Sequence, residues 1–228
     1  MAPRYCAVAD IIGDKIIIFS GWLRTPSLKQ NWLNDLWTFD LDNQQWHCIN
    51  PYIPVDKCGN KYPKERYGAM GGIIDKKLII FGGHGNFTNF NDLWSWSNKT
   101  GWLEISDNDL KKSMPQGRYC GVNEIIDDSL YIIGGRKARI PIRKSNIYND
   151  VWRWDENSGW ECVMGVNLNI KNTPEVRPPY IGKAASAVIQ SDIYIWGGER
   201  YDFNNNKLKL ESDLWIFDSK KAEWEFYG

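Results

Sequence analysis

The tripeptide Asp-Leu/Val-Trp occurs four times along the chain, as Asp35-Leu36-Trp37, Asp92-Leu93-Trp94, Asp150-Val151-Trp152 and Asp213-Leu214-Trp215, at intervals of about 60 residues. Each copy is trailed by a second Trp, namely Trp46, Trp102, Trp160 and Trp224. Each is preceded by an apolar run that closes on small residues, ending at Gly21, Gly83, Gly135 and Gly198. Further upstream stand Arg4, Arg66 and Arg118, each followed by Tyr, while the fourth copy has Ile181 in the Arg position. Four anchors recurring in register define a repeat architecture, in which each unit buries its faces only against its neighbours.

Every repeat divides into four short runs rich in β-branched and aromatic residues and bounded by turn residues, which is the pattern of strands. In the second repeat these are 67–74, 77–81, 93–97 and 102–105. Nothing longer than a turn reads as a helix. The third run carries aromatics at alternate positions (Trp37/Phe39, Trp94/Trp96, Trp152/Trp154, Trp215/Phe217), so one face of that strand is heavily apolar. Eleven of the thirteen Trp fall on repeat positions, counting Trp196, which aligns with Phe19 and Phe81. They are expected in the core and not on a ligand-stacking surface. The paired small residues closing the second run predict positive φ or close backbone approach.

The apolar run into Gly-Gly, the Asn/Ser-Asp-Leu/Val-Trp segment and the trailing Trp together resemble the kelch repeat family, over roughly residues 4 to 226. The resemblance implies an all-β fold, a β-propeller of four kelch-like four-stranded antiparallel blades. As one kelch-repeat domain over 1–228, the blades fall at about 4–49, 66–105, 118–163 and 180–227. The family usually has more than four blades, so closure is open: a closed four-blade ring, or an open arc of a larger propeller. No strand is left over to complete a blade shared by both termini. An open arc would expose aromatic-rich faces, and the chain is expected to be an incomplete propeller: either an arc cut from a longer protein or one that pairs with another copy.

Lys+Arg and Asp+Glu both number 28, giving zero formal net charge, and this argues against nucleic acid as a partner. No apolar run approaches the length of a membrane span. The first 22 residues are interrupted by Asp10, Asp14 and Lys15 and read as strand, so no leader is expected. Cysteines number five, with no CxxC pair. Cys6 and Cys120 both follow Arg-Tyr, and Cys48 and Cys162 both sit two residues after a Trp, so they read as small buried hydrophobes rather than disulfides. A reducing, cytoplasmic setting fits that usage. Sequons at Asn86-Phe87-Thr88 and Asn98-Lys99-Thr100 would permit glycosylation in a secreted protein.

Loop lengths carry the functional signal. In a four-stranded meander the first-to-second and third-to-fourth turns share one face, and here they are tight (Gly13-Asp14, Asp75-Lys76, Asp127-Asp128, Ser191-Asp192). Long segments fall on the other face: 22–34, 84–91, 136–149 and 199–212 inside blades, with 50–65, 106–117 and 165–179 between them. Long loops on one face of a rigid scaffold are where recognition resides. Trp22 and Trp32 fall in the first of them, as interface anchors or as cover for a blade edge. The third carries Arg136, Lys137, Arg139, Arg143 and Lys144 without an acid, a charge run suited to an acidic peptide or to solvent alone.

Chemistry is thinly represented. The two His, His47 and His84, show no metal-ligand spacing, and neither a GxSxG motif nor a phosphate loop is present. The resemblance extends to copper oxidases and sugar-acid isomerases, but the two-His-plus-Tyr copper set has no counterpart here. Arg4, Arg66 and Arg118 read as structural partners of carbonyls or of Asp35, Asp92 and Asp150, or else as an anion site at a channel mouth. A binding module for a protein partner, without cofactor, metal or catalytic residue, is therefore expected. The alternative is a small-ligand or carbohydrate-binding propeller enzyme of the isomerase or oxidase type.

Overall fold

A computed structural model of the protein describes residues 1–23, 32–59, 61–105, 114–138, 147–166, 178, 182–202 and 207–228. Blade 1 consists of β1 (Val8–Ile12), β2 (Lys15–Trp22), β3 (Trp32–Asp40) and β4 (Gln45–Asn50), followed by a single helical turn, α1 (Val55–Cys58). Blade 2 has β5 (Met70–Ile74), β6 (Lys77–Phe81), β9 (Leu93–Ser97) and β10 (Gly101–Glu104), with β7 (His84–Gly85) and β8 (Thr88–Asn89) inserted. Blade 3 has β11 (Val122–Ile126), β12 (Ser129–Ile133), β13 (Val151–Asp155) and β14 (Gly159–Met164). Blade 4 has β15 (Ala185–Ile189), β16 (Asp192–Trp196), β19 (Leu214–Asp218) and β20 (Glu223–Phe226), with β17 (Glu199–Asp202) and β18 (Lys207–Leu210) inserted. All four are four-stranded antiparallel sheets in meander order, the blade set of a four-blade kelch-type β-propeller.

The chain forms two compact units, Met1–Asn108 with Gly117–Tyr119, and Asp109–Gln116 with Cys120–Gly228. The first holds blades 1 and 2, the second blades 3 and 4. In the first unit Val8, Ile17, Phe19 and Leu36 of blade 1 pack against Leu78, Ile80, Trp94, Trp96 and Trp102 of blade 2. In the second, Val122, Ile126, Tyr131, Ile133 and Val151 of blade 3 pack against Ile193, Ile195, Phe217 and Trp224 of blade 4. The same register positions meet in both cores.

Local chemistry accounts for the regularity. Asp75-Lys76 and Asp127-Asp128 turn their hairpins with φ of 44°, 57°, 48° and 55°, the left-handed pair that two-residue hairpin loops require. In blade 4 the turn is Gln190-Ser191, one residue before the sequence expectation, because Ile189 pairs with Asp192. The Asp closing the third strand caps the next turn: an Oδ1 of Asp40, Asp155 and Asp218 accepts two backbone N–H bonds each. At the Gly pairs the expected positive φ is present (Gly82 68°, Gly83 100°), and a Cβ on Gly82 would lie 2.7 Å from the Arg118 carbonyl oxygen. Ser20 takes the first position in blade 1 despite its φ of 65°, and its Oγ donates to the Arg66 carbonyl.

Three expectations are corrected. The 84–91 and 199–212 segments are not irregular loops but begin as two-stranded ribbons, β7–β8 and β17–β18, and β2 and β3 extend so far that Trp22 pairs with Trp32. Cys48 and Cys162 are exposed, because each lies on an edge strand beside a register shift opposite Trp37 or Trp152. Trp46 and Trp196 are exposed as well, because neither ring belongs to the shared core of its own unit.

Candidate functional site

The recurring Arg positions are occupied structurally. Arg4 grips Asp35 with two bonds (Nη1–Oδ1 2.6 Å, Nη2–Oδ2 2.9 Å) and donates to the Ser20 carbonyl, while Trp37 Nε1 donates to the same carboxylate. Arg66 repeats the clamp on Asp92 at 2.6 and 2.8 Å, donates to the Gly82 and Lys64 carbonyls, and is fully buried. Burial opposes ionisation of Asp92, but the Arg66 charge and the bonds from Arg66 and Trp94 outweigh it and hold the carboxyl below its usual range. With their donors so engaged, Arg4 and Arg66 serve as fold elements and not as an anion site.

In blades 1 and 2 the residue after the Arg pairs with the residue after the small-residue pair, and this builds an aromatic tract that runs from exposed Tyr5 to buried His84 and Tyr119. Tyr5 and Trp22 exchange backbone bonds of 3.2 and 3.0 Å, and Tyr67 and His84 exchange two of 2.9 Å. Their rings form a continuous run: Tyr5–Trp22 at 4.9 Å, Trp22–Tyr67 at 5.7 Å, Tyr67–Tyr119 at 5.3 Å and His84–Tyr119 at 5.4 Å. Trp32 stands edge-on to His84 at 6.4 Å. Trp22 Nε1 and His84 Nδ1 are buried with no hydrogen-bond partner among the described residues. Burial lowers the His84 pKa, opposed by its bonds to the Asn89 side chain and Thr88 backbone.

His84, the last member of the tract in chain order before Tyr119, opens the β7–β8 ribbon. Its two-residue turn is Asn86-Phe87, with φ of 43° and 62°, and Phe87 is 89 % exposed. Positive φ is uncommon for a bulky residue, so this ring is held outward at a cost in backbone strain. The Asn-Phe dipeptide was present in the sequence, but only the pairing of Gly85 with Thr88 shows it to be a turn.

In the second unit the matching positions are charged. Glu199 follows the Gly pair of blade 4 and lies 3.3 Å from Arg136 Nη1 and 3.1 Å from Lys183 Nζ. Lys137 Nζ donates to Gln116 Oε1 at 2.6 Å and stands 5.9 Å above the Tyr148 ring. Arg136 is therefore an ion-pair partner within its unit. Arg139, Arg143 and Lys144 lie outside the described residues.

Two other features invite a chemical reading. A cleft of about 420 Å³ in the first unit is lined by Asn50, Lys61, Tyr62, Trp94, Trp102 and Glu104 among others. The carboxylates of Asp14, Asp40 and Asp42 converge within 4.8 Å. The second is already filled by Lys15, whose Nζ lies 2.7 Å from Asp40 Oδ2. That bond, with the Asn43 N–H, draws the Asp40 pKa down to about 2. No helix among the described residues is long and apolar enough to cross a membrane.

A protein-family comparison matches residues 53–227 to the KLHDC2/KLHL20/DRC7 Kelch-repeats domain and residues 3–51 to the Kelch motif. The chain is similar to Kelch domain-containing protein 10 of Homo sapiens, 25% identical over 230 residues, covering 97% of this chain and 46% of that protein. It is similar to Kelch domain-containing protein 1 of Homo sapiens, 26% identical over 239 residues, covering 95% and 55% respectively. A shorter match, 30% identical over 155 residues, joins 66% of this chain to 13% of tRNA wybutosine-synthesizing protein 2/3/4 of Arabidopsis thaliana. The chain spans about half the length of the two human relatives.

Proposed function

The chain belongs to the kelch repeat family, and from that premise we propose that it is a non-enzymatic interaction module that grips a protein partner through its long inter-strand segments, foremost the β7–β8 ribbon of the first unit. The observation that carries this reading is Phe87, a large apolar ring held almost wholly in water at the tip of a ribbon, in a backbone conformation that disfavours it. Exposed aromatics on preorganised elements are what hot spots are built from. The aromatic tract of Tyr5, Trp22 and Tyr67 extends the contact surface of the first unit. The second unit, by itself, offers the charged Arg136–Glu199–Lys183 cluster to an acidic peptide.

Replacing Phe87 by Gly separates recognition from folding. Asn-Gly is the preferred dipeptide for this turn, so relief of strain raises stability by roughly 0.5–1 kcal/mol. Partner recovery in a quantitative pull-down is expected to fall although the variant is the more stable protein. Undiminished recovery with Phe87→Gly and with Trp22→Ala would remove the ribbon side as the binding face. The alternative, a propeller acting on a small ligand or carbohydrate, calls instead for saturable thermal stabilisation by a metabolite.

A further inference from the structure

Blade 2 ends on an edge strand whose outer side is unpaired. Its sheet runs β10-β9-β6-β5, so β10 has a neighbour on one side only. The register Leu103↔Ser95, with a 2.8 Å bond from the Ile105 N–H to the Leu93 carbonyl, fixes which groups face β9. Leu103 and Ile105 turn their backbone toward β9, so by the alternation of an antiparallel ladder Trp102 and Glu104 turn theirs outward. Among the described residues nothing bonds those outward N–H and C=O groups. A free strand edge is a template for another extended chain.

A groove follows this edge inside the first unit. The cleft of about 420 Å³ has Thr100 and the whole of β10 as one wall. Asn50, at the end of β4, and Lys61 and Tyr62, in the segment joining the two blades, complete its lining. A second recess, of about 190 Å³, shares Tyr62, Trp94 and Glu104 with the first and carries the groove on to Lys64, Thr88 and Asn89. The lining is short of hydrogen bonds. Asn50 Oδ1 and Trp102 Nε1 are buried without a partner among the described residues, whereas buried polar atoms are normally bonded. Trp224 Nε1 shares that state in blade 4, so Asn50 Oδ1 is the atom that sets this cleft apart. The lining is also charged. Lys61 and Lys64 are exposed and form no ion pair among the described residues. Glu104 is exposed in the same groove, and Asp92 is held by Arg66, so the free charge there is net positive.

We propose that this groove takes an extended acidic segment of a partner protein, which adds to β10 as a fifth strand of blade 2. The occupant is an extended chain and not a compact ligand, because the free donors and acceptors recur at every second residue along one edge. Backbone bonds to Trp102 and Glu104 supply affinity, and side chains at alternate positions supply specificity. Apolar ones meet the Tyr62 and Trp94 rings, and acidic ones meet Lys61 and Lys64. The Phe87 ring takes no part, so this strand addition stands apart from recognition by the ribbon tip.

The test is fluorescence polarisation with two capped, labelled hexapeptides, one alternating Val with Glu and the other Val with Lys. The Val-Glu peptide is expected to bind the wild-type chain saturably, and the Val-Lys peptide is expected not to bind. Glu104→Pro removes an outward N–H without touching the bonds to β9, as an edge strand tolerates. It is expected to weaken binding by about tenfold or more, whereas Glu104→Gln, which keeps the N–H, binds at least as well as the wild type. Circular dichroism checks that Glu104→Pro folds. The double variant Lys61→Glu, Lys64→Glu replaces exposed side chains only and is expected to abolish binding. In hydrogen exchange the Trp102 and Glu104 amides are expected to gain protection when the Val-Glu peptide is bound. Phe87→Gly is expected to bind this peptide like the wild type, so failure of the groove and failure of the ribbon are read separately. Absence of saturable binding, or equal binding of the two peptides, would overturn the proposal. So would a folded Glu104→Pro that binds like the wild type, or a loss with Glu104→Gln as large as with Glu104→Pro.

Discussion

Trp102 and Trp46 hold the same position in successive blades, and only the first is sealed from water. Periodicity identifies which face of a strand a Trp occupies, but whether a neighbour covers that face is a tertiary fact, which is why the sequence reading placed all eleven repeat Trp in the core. The difference has energetic content. Trp94→Ala and Trp152→Ala remove buried rings and are expected to cost about 3–5 kcal/mol in denaturant unfolding. Trp46→Ala and Trp196→Ala remove exposed rings and are expected to cost far less. His84 makes a second residue-scale prediction. Its folded pKa is depressed by burial, so the protein with neutral His84 is stabilised above the unfolded-state value near 6.5 and loses that stability as pH falls through the folded pKa. The melting temperature of the wild type is therefore expected to drop more steeply between pH 7 and 5 than that of His84→Phe. Equal slopes would assign the acid sensitivity elsewhere.

At the scale of elements, the strands were legible because aromatics and β-branched residues alternate between turn signals, and the second blade runs 70–74, 77–81, 93–97 and 101–104 against an expectation of 67–74, 77–81, 93–97 and 102–105. The ribbons were not. β7 and β8 are two residues each, too short to show a period, and the alternation in Lys207-Leu208-Lys209-Leu210 stood alone inside a polar segment. Of the candidate site, Trp22 and Trp32 were legible as the two Trp outside the repeat pattern, both in the first long segment, whereas Phe87 was not, because a lone Phe in a loop carries no pattern. The Arg–Asp clamps join elements within a blade, linking the segment before the first strand to the start of the third. Arg66→Leu leaves Asp92 short of its main partner in a largely buried setting and is expected to destabilise by about 3–5 kcal/mol. Asp92→Asn in the same background should recover part of that loss, and the absence of any recovery in unfolding experiments would show that Arg66 acts through its carbonyl bonds alone.

At the scale of the whole molecule, the repeat shows that each blade needs neighbours. Sequence alone could state that an arc would expose aromatic faces but could not decide whether such faces are covered, since four similar blades look alike whether or not their ends are covered. What the structure adds is the pairing inside each compact unit: Phe19 and Leu36 of blade 1 share a core with Trp94 and Trp96 of blade 2, and Val122 and Ile133 of blade 3 share one with Phe217 and Trp224 of blade 4. A defect in one blade should therefore be felt by its core partner. Trp94→Ala is expected to lower amide protection in blade 1 as well as blade 2, and Phe217→Ala in blade 3 as well as blade 4, read by hydrogen exchange under native conditions. Loss of protection confined to the substituted blade would show that the shared cores do not couple their blades.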